Sequence, residues 1–199
     1  MKRIFIRFVL SFPLFLCLAA NAFAEGMTVG DGLDDLMGTP LTKAASTGDL
    51  GTVRDLVEKG ADVNGKINGT GRTALIKAAE KGHTNVVRFL IEKGAGLNTK
   101  DLGGATALIA AAGNDHLNTV SALLEKGADV NVIGAETALM AAAEGGHTDI
   151  MRLLLEKGAK TNILDALGAT ALTKAAANGH SDAVLVLLEK GADVNTAMP

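Results

Sequence analysis

The nine residues LLEKGADVN stand at 123–131 and again, unchanged, at 187–195. Their kernel EKGA occurs five times, at Glu58–Ala61, Glu92–Ala95, Glu125–Ala128, Glu156–Ala159 and Glu189–Ala192. A unit repeated at a fixed period of 20–50 residues means that one small structure is built several times over. Aligned on the Thr that opens each unit (Thr39, Thr73, Thr106, Thr137, Thr170), the spacings are 34, 33, 31 and 33 residues. The Asn that closes each unit (Asn64, Asn98, Asn131, Asn162, Asn195) always lies 25 residues after that Thr. All length variation therefore falls between an Asn and the next Thr, as it does when packed structure alternates with loop.

Two short helices are legible within the constant part. The Thr hydroxyl suits the N-cap of the first, and Pro40 follows Thr39 where a missing N–H costs nothing. Paired alanines at the fifth and sixth positions after the Thr (Ala44–Ala45, Ala78–Ala79, Ala111–Ala112, Ala142–Ala143, Ala175–Ala176) allow a second backbone to come close. The first helix is predicted to stop at Gly48, Gly82, Gly146 and Gly179, with Asp115 in that place in unit three. The second runs through segments such as NVVRFLIEK and DIMRLLLEK and stops at Gly60, Gly94, Gly127, Gly158 and Gly191. Helices of about ten residues are marginal alone in water, so each unit must lean on its neighbours in a stack.

Unit three reads DLGGATALIAAAGNDH over 101–116 and closes with GADVN at 127–131; unit five reads DALGATALTKAAANGH over 165–180 and closes with GADVN at 191–195. These patterns resemble the ankyrin repeat, and five such units cover most of the chain. The resemblance implies an all-α repeat solenoid of stacked helix-turn-helix units with short β-hairpin loops. The chain departs from the family pattern where a His follows Thr-Pro-Leu: Thr42, Ile76, Ile109, Met140 and Thr173 stand there instead, and Pro40 alone keeps the proline.

The ends of the chain read differently from its middle. Residues 1–24 combine a basic start (Lys2, Arg3, Arg7), an apolar run and the small-x-small triplet Ala22-Phe23-Ala24. This is the pattern of a signal peptide cleaved near Ala24, and Pro13 interrupts the alternative, a retained membrane anchor. Leu16 before Cys17 argues against a lipoprotein. Cleavage would remove the sole Cys and leave a chain without thiol chemistry, destined for the periplasm or secretion and without membrane attachment. Residues 25–38 read as a tether, and 39–199 as the repeat domain, with units starting near 39, 73, 106, 137 and 170.

Without its leader the chain carries 16 basic and 22 acidic residues. That balance offers no positive footprint for nucleic acid. Phe89 is then the sole aromatic residue. At the amino end Thr52 and Asp55 stand where unit two has Val86 and Phe89, giving a polar cap. At the other end Leu185 replaces Arg54, Arg88, Ser121 and Arg152, and Leu188 stays apolar, so these two are the candidate contacts of a homodimer unless the tail covers them.

Chemistry has few footholds. His83, His116, His147 and His180 recur once per unit. Helices stack about 8–10 Å apart, whereas two ligands of one zinc must both reach within about 2.1 Å of the ion. Each His is instead predicted to start the second helix and bond a nearby loop. The glutamates of EKGA form a similar one-per-unit ladder, read as a solvated edge. GKINGTG (65–71) lacks the Lys-Ser/Thr of a phosphate loop. No catalytic residue, cofactor or metal ligand is assigned, and an enzyme is not expected.

Binding to another protein is what the resemblance implies, on a concave face made of hairpin tips and the exposed side of each first helix. The positions are Thr70, Arg72, Glu80 and Lys81 in unit two; Leu102, Ala105 and Asn114 in unit three; Ile133, Glu136 and Glu144 in unit four; and Leu167, Ala169 and Asn178 in unit five. The loop between Asn131 and Thr137 is two residues shorter than its neighbours and lacks their D-x-x-G, so its hairpin should be stunted and leave a notch. Three functions fit this reading: a periplasmic scaffold for another protein; an inhibitor or immunity-type protein that presents Glu136 and Glu144 to a basic cleft; and a self-associating structural protein.

Overall fold

The computed structural model describes residues 37–196. The leader and nearly all of the tether, on which the expectation of export rests, lie outside these residues, as does the tail from 197. Among the described residues ten helices form five pairs in chain order: α1 (Pro40–Thr47) and α2 (Leu50–Glu58), α3 (Ala74–Glu80) and α4 (Thr84–Glu92), α5 (Ala107–Gly113) and α6 (Leu117–Glu125), α7 (Ala138–Gly145) and α8 (Thr148–Glu156), α9 (Ala171–Ala177) and α10 (Ser181–Glu189). None exceeds 9 residues. One apolar cluster runs unbroken from Leu41 to Ala192. No helix among the described residues is long and apolar enough to cross a membrane.

Every opening Thr caps its helix. Thr39, Thr73, Thr106, Thr137 and Thr170 each accept from the backbone N–H three residues on, at 3.2–3.3 Å. A cap of this kind stabilises by about 1 kcal/mol. Three of the residues standing where the family pattern has His extend it. The Thr42 and Thr173 hydroxyls donate back to the Thr39 and Thr170 carbonyls at 2.9 Å, and Met140 Sδ accepts from the Thr137 N–H at 3.4 Å. Ile76 and Ile109 are simply buried.

The first helices end as predicted, with positive φ at Gly48, Gly82, Gly146 and Gly179 and, uniquely among non-glycine residues described, at Asp115 (60°). A second constraint applies here. The His of the following unit lies over the glycine: an added Cβ would come within 2.5 Å of His83 Nδ1 at Gly48 and 2.6 Å of His116 and His180 Nδ1 at Gly82 and Gly146.

First helices pack on one another more closely than second helices do. The alanine pairs permit this: Ala45, Ala78, Ala79, Ala111, Ala112, Ala142 and Ala143 have no exposed surface. A stack tighter on one side bends toward that side, so the first helices line the concave face.

The loops are tight turns. One isolated bridge, Lys66 to Thr73, is the only strand-like pairing among the described residues. Two backbone bonds close each tip of units two, three and five: Ile67 N to Arg72 O and Gly71 N to Ile67 O, both at 2.8 Å; Asp101 N to Ala105 O at 3.0 Å and Gly104 N to Asp101 O at 3.1 Å; Asp165 N to Ala169 O at 2.9 Å and Gly168 N to Asp165 O at 3.0 Å. The Asp101 and Asp165 carboxylates also accept from the Ala105 and Ala169 N–H groups at 2.8 Å. Val132 takes that place in unit four and cannot accept, so the short loop turns back with Gly134 N bonded to Glu136 O at 3.0 Å. Its Gly134 backbone rests on Gly104 so closely that no side chain fits between them.

Candidate protein-binding face

The predicted binding residues fall along one surface, on the tips and on the exposed ends of α3, α5, α7 and α9. Three apolar side chains project from successive tips: Leu102 is 77 % exposed, Ile133 50 % and Leu167 87 %. Thr70 lies half-buried beside Leu102, its carbonyl accepting the Leu102 N–H at 2.9 Å. Ala105 and Ala169 are half-buried at the bases of their tips. Asn114 and Asn178 are exposed and turn inward to their own helices, donating to the Ala110 and Lys174 carbonyls at 2.8 and 2.9 Å.

The charged candidates are engaged with one another. The Glu80 carboxylate gathers Arg72 at 3.1 Å, Lys77 at 3.2 Å and Lys81 at 3.3 Å, and Arg72 reaches on to Asp101 of unit three at 3.4 Å. A second cluster centres on Lys174, which contacts Glu144 at 2.8 Å, Glu136 at 2.9 Å and Asp165 at 3.7 Å. Partial burial works to lower the Lys174 pKa, but Glu144 and Glu136 outweigh it and hold the ammonium above its ordinary value. At Asp165 desolvation pushes upward, while the N–H groups of Ala169 and Leu167 and the Lys174 charge prevail and lower the pKa. Glu136 Oε2 is buried, with its charge facing Lys174 but no well-aligned hydrogen bond.

Lys77, Lys174, Asp101 and Asp165 were not among the residues picked from sequence. The signal was there: Lys43, Lys77 and Lys174 occupy the fourth position after the Thr, which on a helix shares a face with the seventh and eighth. Between the two clusters the same positions carry Ala105, Ala110, Gly113 and Ala141, which leaves the middle of the face neutral and low.

The ladders on the other surfaces hold the stack together. His83, His116, His147 and His180 each direct Nε2 at a carbonyl ending the preceding first helix, of Ser46, Glu80, Gly113 and Glu144, at 2.9–3.2 Å. The nitrogen facing a carbonyl must carry the proton, so Nε2 donates. No three acidic or histidine side chains converge on a metal-sized point among the described residues. The EKGA glutamates are exposed, two of them paired with an arginine of the preceding unit, Arg88 with Glu125 at 3.3 Å and Arg152 with Glu189 at 3.9 Å. A cleft lined by Gly48, Gly82, His83, Thr84, Asn85 and Val86 offers one titratable side chain, and that one is bonded to Ser46.

Five helix pairs, Thr caps and a His ladder define the unit, and comparison with protein families agrees. A model described as ankyrin repeats in three copies matches residues 41–134 and again 133–198. The chain belongs to the ankyrin-repeat family. Among curated proteins none gives a significant match. Ankyrin repeats serve in general as non-enzymatic platforms for protein–protein contact, and the surface just described is the concave, tip-bearing side of such a platform.

Proposed function

We propose that this ankyrin-repeat protein is a protein-binding scaffold that acts in the periplasm, or outside the cell, after its leader is cleaved near Ala24. The observation that supports binding most directly is the line of Leu102, Ile133 and Leu167, three large apolar side chains held out on adjacent tips. Exposed apolar residues gathered on one edge mark contact sites. The test is affinity capture from periplasmic extract with the leaderless chain and with the L102D/I133D/L167D variant, each checked for helicity. Capture that the variant loses supports the reading. Capture that survives the triple substitution overturns the tip surface as the binding face. Amino-terminal sequencing of the exported protein should begin at Glu25; a start at Met1 in the membrane fraction would contradict export by cleavage.

A second reading has an observation of its own. Leu185 is 57 % and Leu188 41 % exposed, whereas the counterparts of Leu188 in the other four units, Val57, Ile91, Leu124 and Leu155, are half-buried. Self-association through this end predicts that Leu188→Glu lowers the mass measured by light scattering from dimer to monomer. A wild-type chain that is monomeric at high concentration removes this reading. An inhibitor using Glu136 and Glu144 would present carboxylates whose charge Lys174 already offsets in part.

A further inference from the structure

Asn is followed by Gly three times in this chain, at Asn64–Gly65, Asn68–Gly69 and Asn178–Gly179. Such a pair is prone to close on itself, because glycine has no side chain to keep its nitrogen from the Asn side-chain carbonyl. The fold treats the three pairs differently. The Asn64 amide donates to Gly94 O at 3.1 Å and accepts from Gly96 N at 2.8 Å, while Gly65 N donates to Asp62 O at 3.1 Å. The Asn178 amide donates to Lys174 O at 2.9 Å, and Gly179 N donates to Ala176 O at 3.1 Å. Asn68 and Gly69 are both exposed, and among the described residues neither the Asn68 amide nor the Gly69 N–H has a hydrogen-bond partner.

The length of the turn accounts for this. The step from Asn64 to Thr73 is 9 residues, against 8 from Asn98 to Thr106 and from Asn162 to Thr170. Counted from the closing Asn, Ile67 stands where units three and five have Asp101 and Asp165. Its buried side chain cannot accept the N–H groups that those carboxylates accept. Asn68 is the extra residue. With Gly69, at φ 91°, it forms the outer part of a turn closed beneath them by Ile67 N to Arg72 O and Gly71 N to Ile67 O.

From this contrast we infer that Asn68 is a site of covalent self-modification, the one Asn–Gly pair that deamidates while the chain is folded. The Gly69 nitrogen, losing its proton to hydroxide, attacks the Asn68 side-chain carbonyl carbon. The new C–N bond closes a succinimide ring, and the side-chain nitrogen takes up a proton and leaves as ammonia. Water then opens the ring at either carbonyl, giving aspartate or isoaspartate, with no change of oxidation state. At the other two pairs the same attack must wait until the bonds to the Asn and the Gly open. The product adds a carboxylate, and in isoaspartate an extra backbone carbon, two residues from Thr70, whose carbonyl holds Leu102 N at 2.9 Å. Ageing thus reaches the row of exposed tips at one defined position.

Cleavage after Lys and Arg isolates each pair in its own peptide, 60–66, 67–72 and 175–190. The purified protein is held at mildly alkaline pH, folded and in parallel unfolded in urea, then digested briefly and read by mass spectrometry. In the folded protein, 67–72 should gain the mass of amide hydrolysis severalfold faster than 60–66 or 175–190, as separate aspartate and isoaspartate forms. In urea the three rates should converge, because unfolding removes the bonds that hold Asn64 and Asn178. Folded-state rates that are equal, or highest at 60–66 or 175–190, overturn the assignment. A lead for 67–72 that persists undiminished in urea would come from its neighbouring residues and not from the fold, and overturns it as well. An aspartate product without isoaspartate would mean direct hydrolysis and would contradict the ring closure.

Discussion

The closing Asn of each unit does more than mark its end. The Asn64 amide donates to Gly94 O at 3.1 Å and accepts from Gly96 N at 2.8 Å. Asn131 does the same to Gly158 O at 3.0 Å and Lys160 N at 2.9 Å. Asn98 and Asn162 accept from Asp129 N and Asp193 N at 3.0 and 2.9 Å. This clamp between units accounts for the Asn that closes every unit, and it was not legible in the sequence, because its partners lie 27–32 residues away. The Thr caps were legible because theirs lie three away. Asn131→Ala, which removes two solvent-exposed hydrogen bonds between units, should cost about 1–2 kcal/mol in urea unfolding. Asn195→Ala, in the last unit, should stay within about 0.5 kcal/mol. Equal losses would refute the clamp.

Unit three shows a compensated pair at the same scale. Where other units have Gly, Asp115 places a Cβ, and His147 sits with Nδ1 3.5 Å from the Asp115 carboxylate. The His147 ring then lies over Gly145, where an added Cβ would collide with Nε2; the other units carry Thr47, Lys81, Asn114 and Asn178 there. Gly145→Ala alone should destabilise the protein. In the Asp115→Gly background the ring is free to take the position of the other histidines, and the same substitution should stabilise by up to about 1 kcal/mol from helix propensity. A double-mutant cycle by urea unfolding checks the change of sign; additive effects would contradict it.

Helices and turns followed the sequence closely, since caps, stops and alanine pairs are local signals. The charge clusters did not, because they depend on which side chains of different units meet. Lys174 shows the consequence. Its raised pKa means that its contribution is full below its ordinary value of 10.5 and is lost as pH rises through the folded value. The lowered pKa of Asp165 means the opposite: stability present above about 3.8 and lost as pH falls through the folded value. Lys174→Met leaves three carboxylates facing one another and should cost about 1–3 kcal/mol at pH 7. The deficit should shrink below about pH 4 as those carboxylates protonate. A pH-independent deficit, followed by thermal unfolding, would show that the loss is one of packing. Asp165→Asn should flatten the acid limb of the wild-type stability curve.

At the scale of the molecule, the period led to a stack with one continuous core, and the resemblance to the ankyrin repeat to the face that carries the candidate residues. The bend of that face arises from the unequal packing of first and second helices, which no single unit encodes. The polar amino end is also more elaborate than a change of composition. Arg54 lies over the Phe89 ring at 4.7 Å and Lys93 at 5.5 Å, so cations cover the one aromatic side chain of the described residues. Caps within a unit cannot offset the entropy of ordering two helices of 7–9 residues; clamps, histidines and buried alanines all act between units. The direct test is circular dichroism of residues 98–131 excised as a peptide, beside the intact repeat domain. The account predicts a largely unfolded peptide and a helical domain that unfolds cooperatively. A peptide that kept the helicity it has within the domain would show that each unit stands alone, and the stacked recognition face would lose its physical basis.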